Sequence, residues 1–187
     1  MSLSIAVLAG SLRAQSFNRQ LAEALIRLPA AQGHEFTFLD IGSLPLYDQD
    51  DDDHQAAPVL RLKEQVKAAD GVLIATPEYN RSIPGVLKNA MDHASRPFGQ
   101  SAWKGKPVGV IGTSPSPVAT AAAQNHLRAV CHALDMPVMG HPEAYIQWKA
   151  GLVQEDGTVG PASRDFLNGW MAAFVAHVRR HAAHPGG

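Results

Sequence analysis

The chain contains a single cysteine, Cys131, so no internal disulfide framework is possible, and a reducing compartment, the cytoplasm, is expected. Neither sign of charge is in excess. Sixteen Lys and Arg stand against seventeen Asp and Glu, a formal net charge of −1. That balance argues against a nucleic-acid-binding surface and against the acidic face of an electron carrier. Apolar runs do not exceed strand length, so no membrane span is expected. The first strand begins so near Met1 that no signal peptide is expected. Metal-ligand spacing is lacking among His93, His126, His132 and His141, and no metal site is expected. The acidic run Asp48, Asp50, Asp51, Asp52 and Asp53 lacks the spacing and glycine of a calcium loop and reads as a solvated face. What the chain does have is 45% hydrophobic content in 187 residues, enough for one compact α/β domain over 1–187, with 181–187 as a flexible tail.

Short β-branched runs alternate with longer amphipathic segments, the rhythm of βαβ units around a parallel sheet. Strands are expected at Ser4–Ala9, Glu35–Leu39, Gly71–Ala75 and Val108–Ile111, with a fifth beginning near Pro137 and resuming near Ala144–Ile146. Helices are expected over Asn18–Leu28, Val59–Ala69, Pro84–Ala94, Ala119–Leu134 and Pro161–His181, with Lys149–Gly160 as a loop. Pro84 falls in the first turn of its helix, where a missing N–H costs nothing. Phe166, Trp170, Phe174 and Val178 form a stripe suited to packing on the sheet, and Cys131 reads as a small buried hydrophobe. Five strands with alternating helices fit an α/β, flavodoxin-like three-layer sandwich, a five-stranded parallel sheet in order 2-1-3-4-5 with helices on both faces. Strands one and three then flank the switch point where ligands bind.

Those two strands each run into a distinctive loop. The first, Gly10-Ser11-Leu12-Arg13-Ala14-Gln15-Ser16-Phe17-Asn18, supplies hydroxyls, a guanidinium and the start of a helix, the donors a phosphate monoester needs. It lacks the Gly-Lys-Ser/Thr ending of a Walker loop and the Gly-x-Gly-x-x-Gly of a dinucleotide site. An ordinary βα loop with Ser16 or Asn18 as helix N-cap is the competing reading, and one residue can serve both purposes. The second, Thr76-Pro77-Glu78-Tyr79-Asn80-Arg81-Ser82-Ile83-Pro84-Gly85, is bracketed by prolines that disfavour both helix and strand. A pinned polar backbone of this kind could frame the edge of a flavin ring, and by itself it could equally be a rigid turn with Glu78 exposed and Asn80 capping.

Taken together, Gly10-Ser11-Leu12-Arg13 with Ser16 and Asn18, Pro77-Glu78-Tyr79-Asn80 with Ser82-Ile83-Pro84-Gly85, and Leu87-Lys88-Asn89-Ala90-Asp92 resemble the NADPH-dependent FMN reductase family. This is the flavodoxin-like group that includes chromate, quinone and azo-dye reductases. Leu44-Pro45-Leu46-Tyr47-Asp48, Ala123-Gln124-His126-Leu127-Arg128 and Pro142-Glu143 add to the likeness, which runs to about Ile146. The resemblance implies bound FMN, with NADPH or NADH as hydride donor. Ser11, Arg13, Ser16 and Asn18 would hold the phosphate, helped by backbone N–H groups from Ser16 through Phe17 to Asn18. Pro77, Glu78, Tyr79 and Asn80, with Ser82, would frame the isoalloxazine and ribityl region, largely through main chain. Ser114 would close the pocket. A departure follows the fourth strand, where Pro115 and Pro117 stand in a stretch that is glycine-rich in relatives and remove two main-chain donors.

The implied reaction is ping-pong. Hydride passes from NAD(P)H to the flavin and the electrons then pass to a quinone, azo compound, free flavin or metal oxyanion. The cofactor carries the chemistry, so no side chain is expected to be catalytic in the strict sense. The resemblance also implies a homodimer or homotetramer. A flavodoxin-type electron-transfer protein and a flavin-free sensor or scaffold are the alternatives; Arg13 and the near-neutral charge count against the first.

Overall fold

A computed structural model describes residues 1–182. In chain order the elements are β1 (Ser4–Ala9), α1 (Phe17–Leu25), β2 (Glu35–Phe38), α2 (Ala57–Ala68), β3 (Gly71–Ala75), α3 (Gly85–Ala94), β4 (Val108–Ser114), α4 (Ala121–Ala133), β5 (Tyr145–Gln147) and α5 (Pro161–Ala182). One turn of 3-10 helix lies at Pro29–Ala31 and two turns, capped by Asp48 and carrying Asp50–Asp53, at Gln49–His54. All five strands are parallel, in the order β2-β1-β3-β4-β5. The expected topology is therefore the one observed.

Strand alternation sorts the core into two layers. Ile5, Val7, Leu73, Ala75 and Ile111 pack beneath Leu21 and Leu25 of α1 and Trp170, Phe174 and Val178 of α5. Ala6, Leu8, Val72, Ile74, Val108 and Val110 face the other way, against Leu62 and Val66 of α2, Leu87 and Met91 of α3, and Leu127 and Cys131 of α4. Both faces of β1 and β3 are covered, which is why these strands read as nearly continuous apolar runs. Gly109 sits where α5 presses closest: a Cβ there would lie 2.5 Å from the Phe174 ring.

The structure departs from the sequence expectations at several places. β4 runs on to Ser114, and it is this extension, Gly112–Ser114, that pairs with β5. The segment near Pro137 contributes only one bridge, Val108 with Val138, because Pro137 and Pro142 lack ladder donors and the pairing strand starts at Tyr145. α4 begins at Ala121, not Ala119, since Ala119 takes φ 51° and a left-handed residue cannot continue a helix. Phe166 is half exposed. The buried face of α5 is centred on Leu167, Trp170, Met171, Phe174 and Val178, and Phe166 falls about 100° from that centre. Trp170 and Phe174 stack with ring centroids 5.8 Å apart.

His181 and Ala182 complete the last turn of α5, so these two residues of the expected tail are helical; 183–187 lie outside the described residues. Pro84 occupies the N-cap of α3, one position before the first turn. Among the described residues no helix is long and apolar enough to cross a membrane, and no three His, Cys, Asp or Glu side chains group to hold a metal.

Candidate functional site

The loops leaving β1, β3 and β4 meet at the carboxyl edge of the sheet. In the first, Ser16 is the N-cap of α1, and its Oγ accepts from the Arg19 N–H at 3.2 Å. The Ser16 N–H is turned back to the Arg13 carbonyl at 3.0 Å. The N–H groups of Phe17 and Asn18 are first-turn donors without an intrahelical acceptor, at the positive end of the helix dipole. Arg13 is exposed and makes no ion pair among the described residues. Its guanidinium carbon lies 5.1 Å from the centroid of the Phe17 ring, and Phe17 stacks on Trp148 at 4.4 Å with 19° between planes.

The loop after β3 is a rigid turn, as its two prolines predict. Tyr79 and Ser82 exchange both backbone hydrogen bonds at 3.0 Å, closing a two-residue turn in which Asn80 (φ 51°) and Arg81 (φ 67°) are both left-handed. That is the geometry of a type I′ hairpin. Between Pro77 and Pro84 there is neither helix nor strand, as the prolines predict; the Tyr79–Ser82 pair is an isolated bridge closing a rigid turn. Tyr79 Oη lies 3.3 Å from Ser11 Oγ and joins this loop to the first. Glu78 is not exposed: its side chain keeps 10% of its surface. Oε2 accepts from the N–H groups of Ala122 and Ala123 at 3.0 and 3.1 Å, capping α4, and Oε1 lies 3.6 Å from Arg81. One carboxylate oxygen of Glu78 is thus committed to capping α4.

The third loop is tied to the first by Asn18, whose Nδ2 donates to the Thr113 carbonyl and whose Oδ1 accepts from the Thr113 N–H, each at 2.9 Å. Asn18 was expected as a side-chain phosphate donor; its amide is instead occupied and buried, leaving its backbone N–H as the available donor. Ser114 Oγ donates to the Ala119 carbonyl at 2.8 Å and accepts from the Ser116 N–H at 3.2 Å, holding its own loop in shape. Gly112 lets β4 approach this closely: a Cβ there would lie 2.2 Å from the Thr76 carbonyl oxygen.

Ser11, Arg13, Ser16, Phe17, Asn18, Pro77, Glu78, Tyr79 and Ser114 line one cleft of about 260 Å³, together with Thr113 and Pro115. Asn80 and Ser82 do not line it. Asn80 forms the hairpin tip, and Ser82 Oγ lies 3.0 Å from Nδ1 of His126. Thr113 was missed in the sequence because the strand was expected to stop at Ile111. Its Oγ1 is buried without a hydrogen-bond partner, a costly state for a hydroxyl unless a ligand or water supplies the bond. Pro115 brings no donor, and its carbonyl accepts from Gln147 at 3.0 Å. Trp148 was missed because it follows β5 at the entrance of a polar stretch. The groups with shifted pKa lie outside the cleft; burial pushes the Cys131 thiol up to about 12 and lowers Lys106 and His177.

One end of the cleft thus offers a free cation and two helix N-terminal N–H groups. The other walls are Pro77, Pro115 and Tyr79, with one unpaired hydroxyl between. An anionic head with a flat, mostly apolar body bearing polar edges matches this donor set, and FMN has that chemistry.

Comparison with known proteins gives the same answer. The sequence model of the NADPH-dependent FMN reductase family matches residues 3–150. A 2-hydroxy-1,4-benzoquinone reductase from a Burkholderia species is 51% identical over 180 residues, covering 96% of this chain and 98% of the relative. A quinone reductase from Pseudomonas putida is 42% identical over 182 residues, covering 96% and 97%. Among solved structures, the flavoenzyme NAD(P)H:(acceptor) oxidoreductase FerB from Paracoccus denitrificans superposes with a TM-score of 0.91 at 45% identity, covering 96% of this chain and 98% of FerB. The chain belongs to the NADPH-dependent FMN reductase family and is an FMN-dependent NAD(P)H oxidoreductase acting on a small-molecule acceptor.

Proposed function

We propose that this protein reduces a quinone-class acceptor, with FMN held in the cleft between the β1, β3 and β4 loops. The observation that carries the reading is the convergence of the Arg13 guanidinium, the Phe17 and Asn18 N–H groups and the unpaired Thr113 hydroxyl on one cleft. FMN held there would supply two-electron redox chemistry between NAD(P)H and the acceptor. Ser11, Arg13, Ser16, Phe17 and Asn18 grip the phosphate. Pro77, Glu78 and Tyr79 frame the ring, with Asn80 and Ser82 acting through the hairpin that holds Tyr79 in place. Ser114 shapes the far wall. The side chains would hold the phosphate and frame the ring, so their work is binding and alignment and not proton transfer.

The acceptor class rests on the named activities of the relatives and on the rim. Leu12, Tyr79 and Val118, one on each loop, are large apolar side chains about half exposed or more, a surface suited to a planar aromatic acceptor. A homodimer or homotetramer in the cytoplasm completes the reading. It is supported by the exposed Leu46 and Phe98, which flank α3: Asn89 and His93 of that helix bond the Pro45 carbonyl beside Leu46, and Phe98 follows its end.

Steady-state oxidation of NADPH and NADH by a 1,4-benzoquinone is the test. Acceptor-dependent turnover with parallel double-reciprocal lines is expected. A protein that oxidises neither nucleotide without a separate reductase would be a carrier, and the proposal would be wrong.

A further inference from the structure

We propose that Trp148 is a positioning residue for Arg13, acting through the ring of Phe17, and so sets how strongly the protein prefers a phosphorylated flavin. The inference rests on the reading of the first loop as the flavin phosphate site. Arg13 stands on an exposed loop without a carboxylate to hold it. A free guanidinium arm samples many rotamers, and fixing them on phosphate costs side-chain entropy. The structure places it instead over the Phe17 ring, 5.1 Å from the centroid. Stacking on a ring face satisfies the cation while leaving the in-plane N–H donors pointing outward, where a phosphate would meet them.

Phe17 is the first residue of α1, an element end whose side chain could swing away. Its ring stacks with the Trp148 indole, nearly parallel at 4.4 Å. Trp148 is itself anchored: its N–H donates to the Ser114 carbonyl at 2.8 Å, immediately after the β5 residue Gln147 that pairs with Ser114. A chain of contacts therefore runs from the β4–β5 pair through two aromatic rings to one cation. A Trp placed there merely for packing would contribute equally to any occupant of the cleft. A Trp that orders Arg13 contributes only when the occupant carries the phosphate.

The experiment compares FMN with riboflavin, which is the same ring and ribityl chain without the phosphate, by titrating each into flavin-stripped protein. Wild type is expected to prefer FMN. Trp148→Ala should weaken FMN binding by about 3- to 10-fold and leave riboflavin binding unchanged. Trp148→Phe, which keeps a ring face, should restore wild-type discrimination. In an Arg13→Ala background, Trp148→Ala should add nothing further on FMN. Equal weakening of both ligands, or unchanged FMN affinity in Trp148→Ala, overturns the inference while leaving the phosphate site standing. Equal affinity of wild type for FMN and riboflavin overturns the phosphate site and the inference with it.

Discussion

Asn18 and Thr113, 95 residues apart in the chain, exchange two hydrogen bonds of 2.9 Å, the amide of one matched to the peptide group of the other. This pair fastens the N-terminus of α1 to the end of β4 and fixes the distance across the cleft. Asn18→Ala leaves a buried donor and a buried acceptor unpaired, so we expect it to destabilise the protein by about 2–4 kcal/mol. A lower urea midpoint at unchanged slope would show this, and an unchanged midpoint would mean that the pair is not holding the loops.

Arg13→Ala removes the free cation at the phosphate end of the cleft. Loss of a charge-assisted contact of about 1.5–3 kcal/mol predicts FMN binding weaker by roughly 10- to 100-fold. Fluorescence titration of stripped protein reads the change directly. Global stability should stay within about 0.5 kcal/mol of wild type, because Arg13 is an exposed surface residue.

Glu78 joins the ring-framing loop to α4. Glu78→Ala frees the first-turn N–H groups of Ala122 and Ala123 and removes the negative charge at the helix N-terminus. The expected cost is about 1–2 kcal/mol. Glu78→Gln keeps an accepting oxygen and should cost less than half as much. Thermal unfolding that ranks Gln with Ala would show that the charge alone, and not the hydrogen bonds, makes the cap.

Cys131 is fully buried, and burial pushes its thiol up to about 12 from an ordinary value near 9. The native protein should therefore resist thiol reagents at pH 8 and react only on unfolding. The folded state holds this proton after the unfolded chain has released it. The contribution to stability is thus complete below about pH 9 and is lost as pH rises from there to about 12. Cys131→Ser, which lacks the titration, should flatten that part of the stability profile.

Much of this was legible in the chain. The bounds of β1 and β3 stand as read, because strands covered on both faces leave continuous apolar runs. Ser11, Arg13, Ser16 and Asn18 were legible as a group, since donors clustered before a helix are a local signal. Which polar side chains are already spent was not legible. Asn18 is consumed by Thr113 and Glu78 by α4, partners 95 and 44 residues away, and no local pattern reports such pairs. Trp148 stood at the edge of a polar stretch, with nothing nearby to say that it would reach Phe17. The flanking prolines pointed to a rigid turn at Tyr79–Ser82, and Asn80, a residue type that accepts a positive φ, hinted at its handedness.

The most direct measurement is the visible spectrum of flavin-stripped protein on stepwise addition of FMN, followed by NADPH under anaerobic conditions. The account predicts saturable binding of FMN with loss of its yellow absorbance when NADPH is added, and recovery of that absorbance when a 1,4-benzoquinone follows. A protein that ignores added FMN, or binds it and leaves it oxidised in the presence of both NADPH and NADH, would contradict the account.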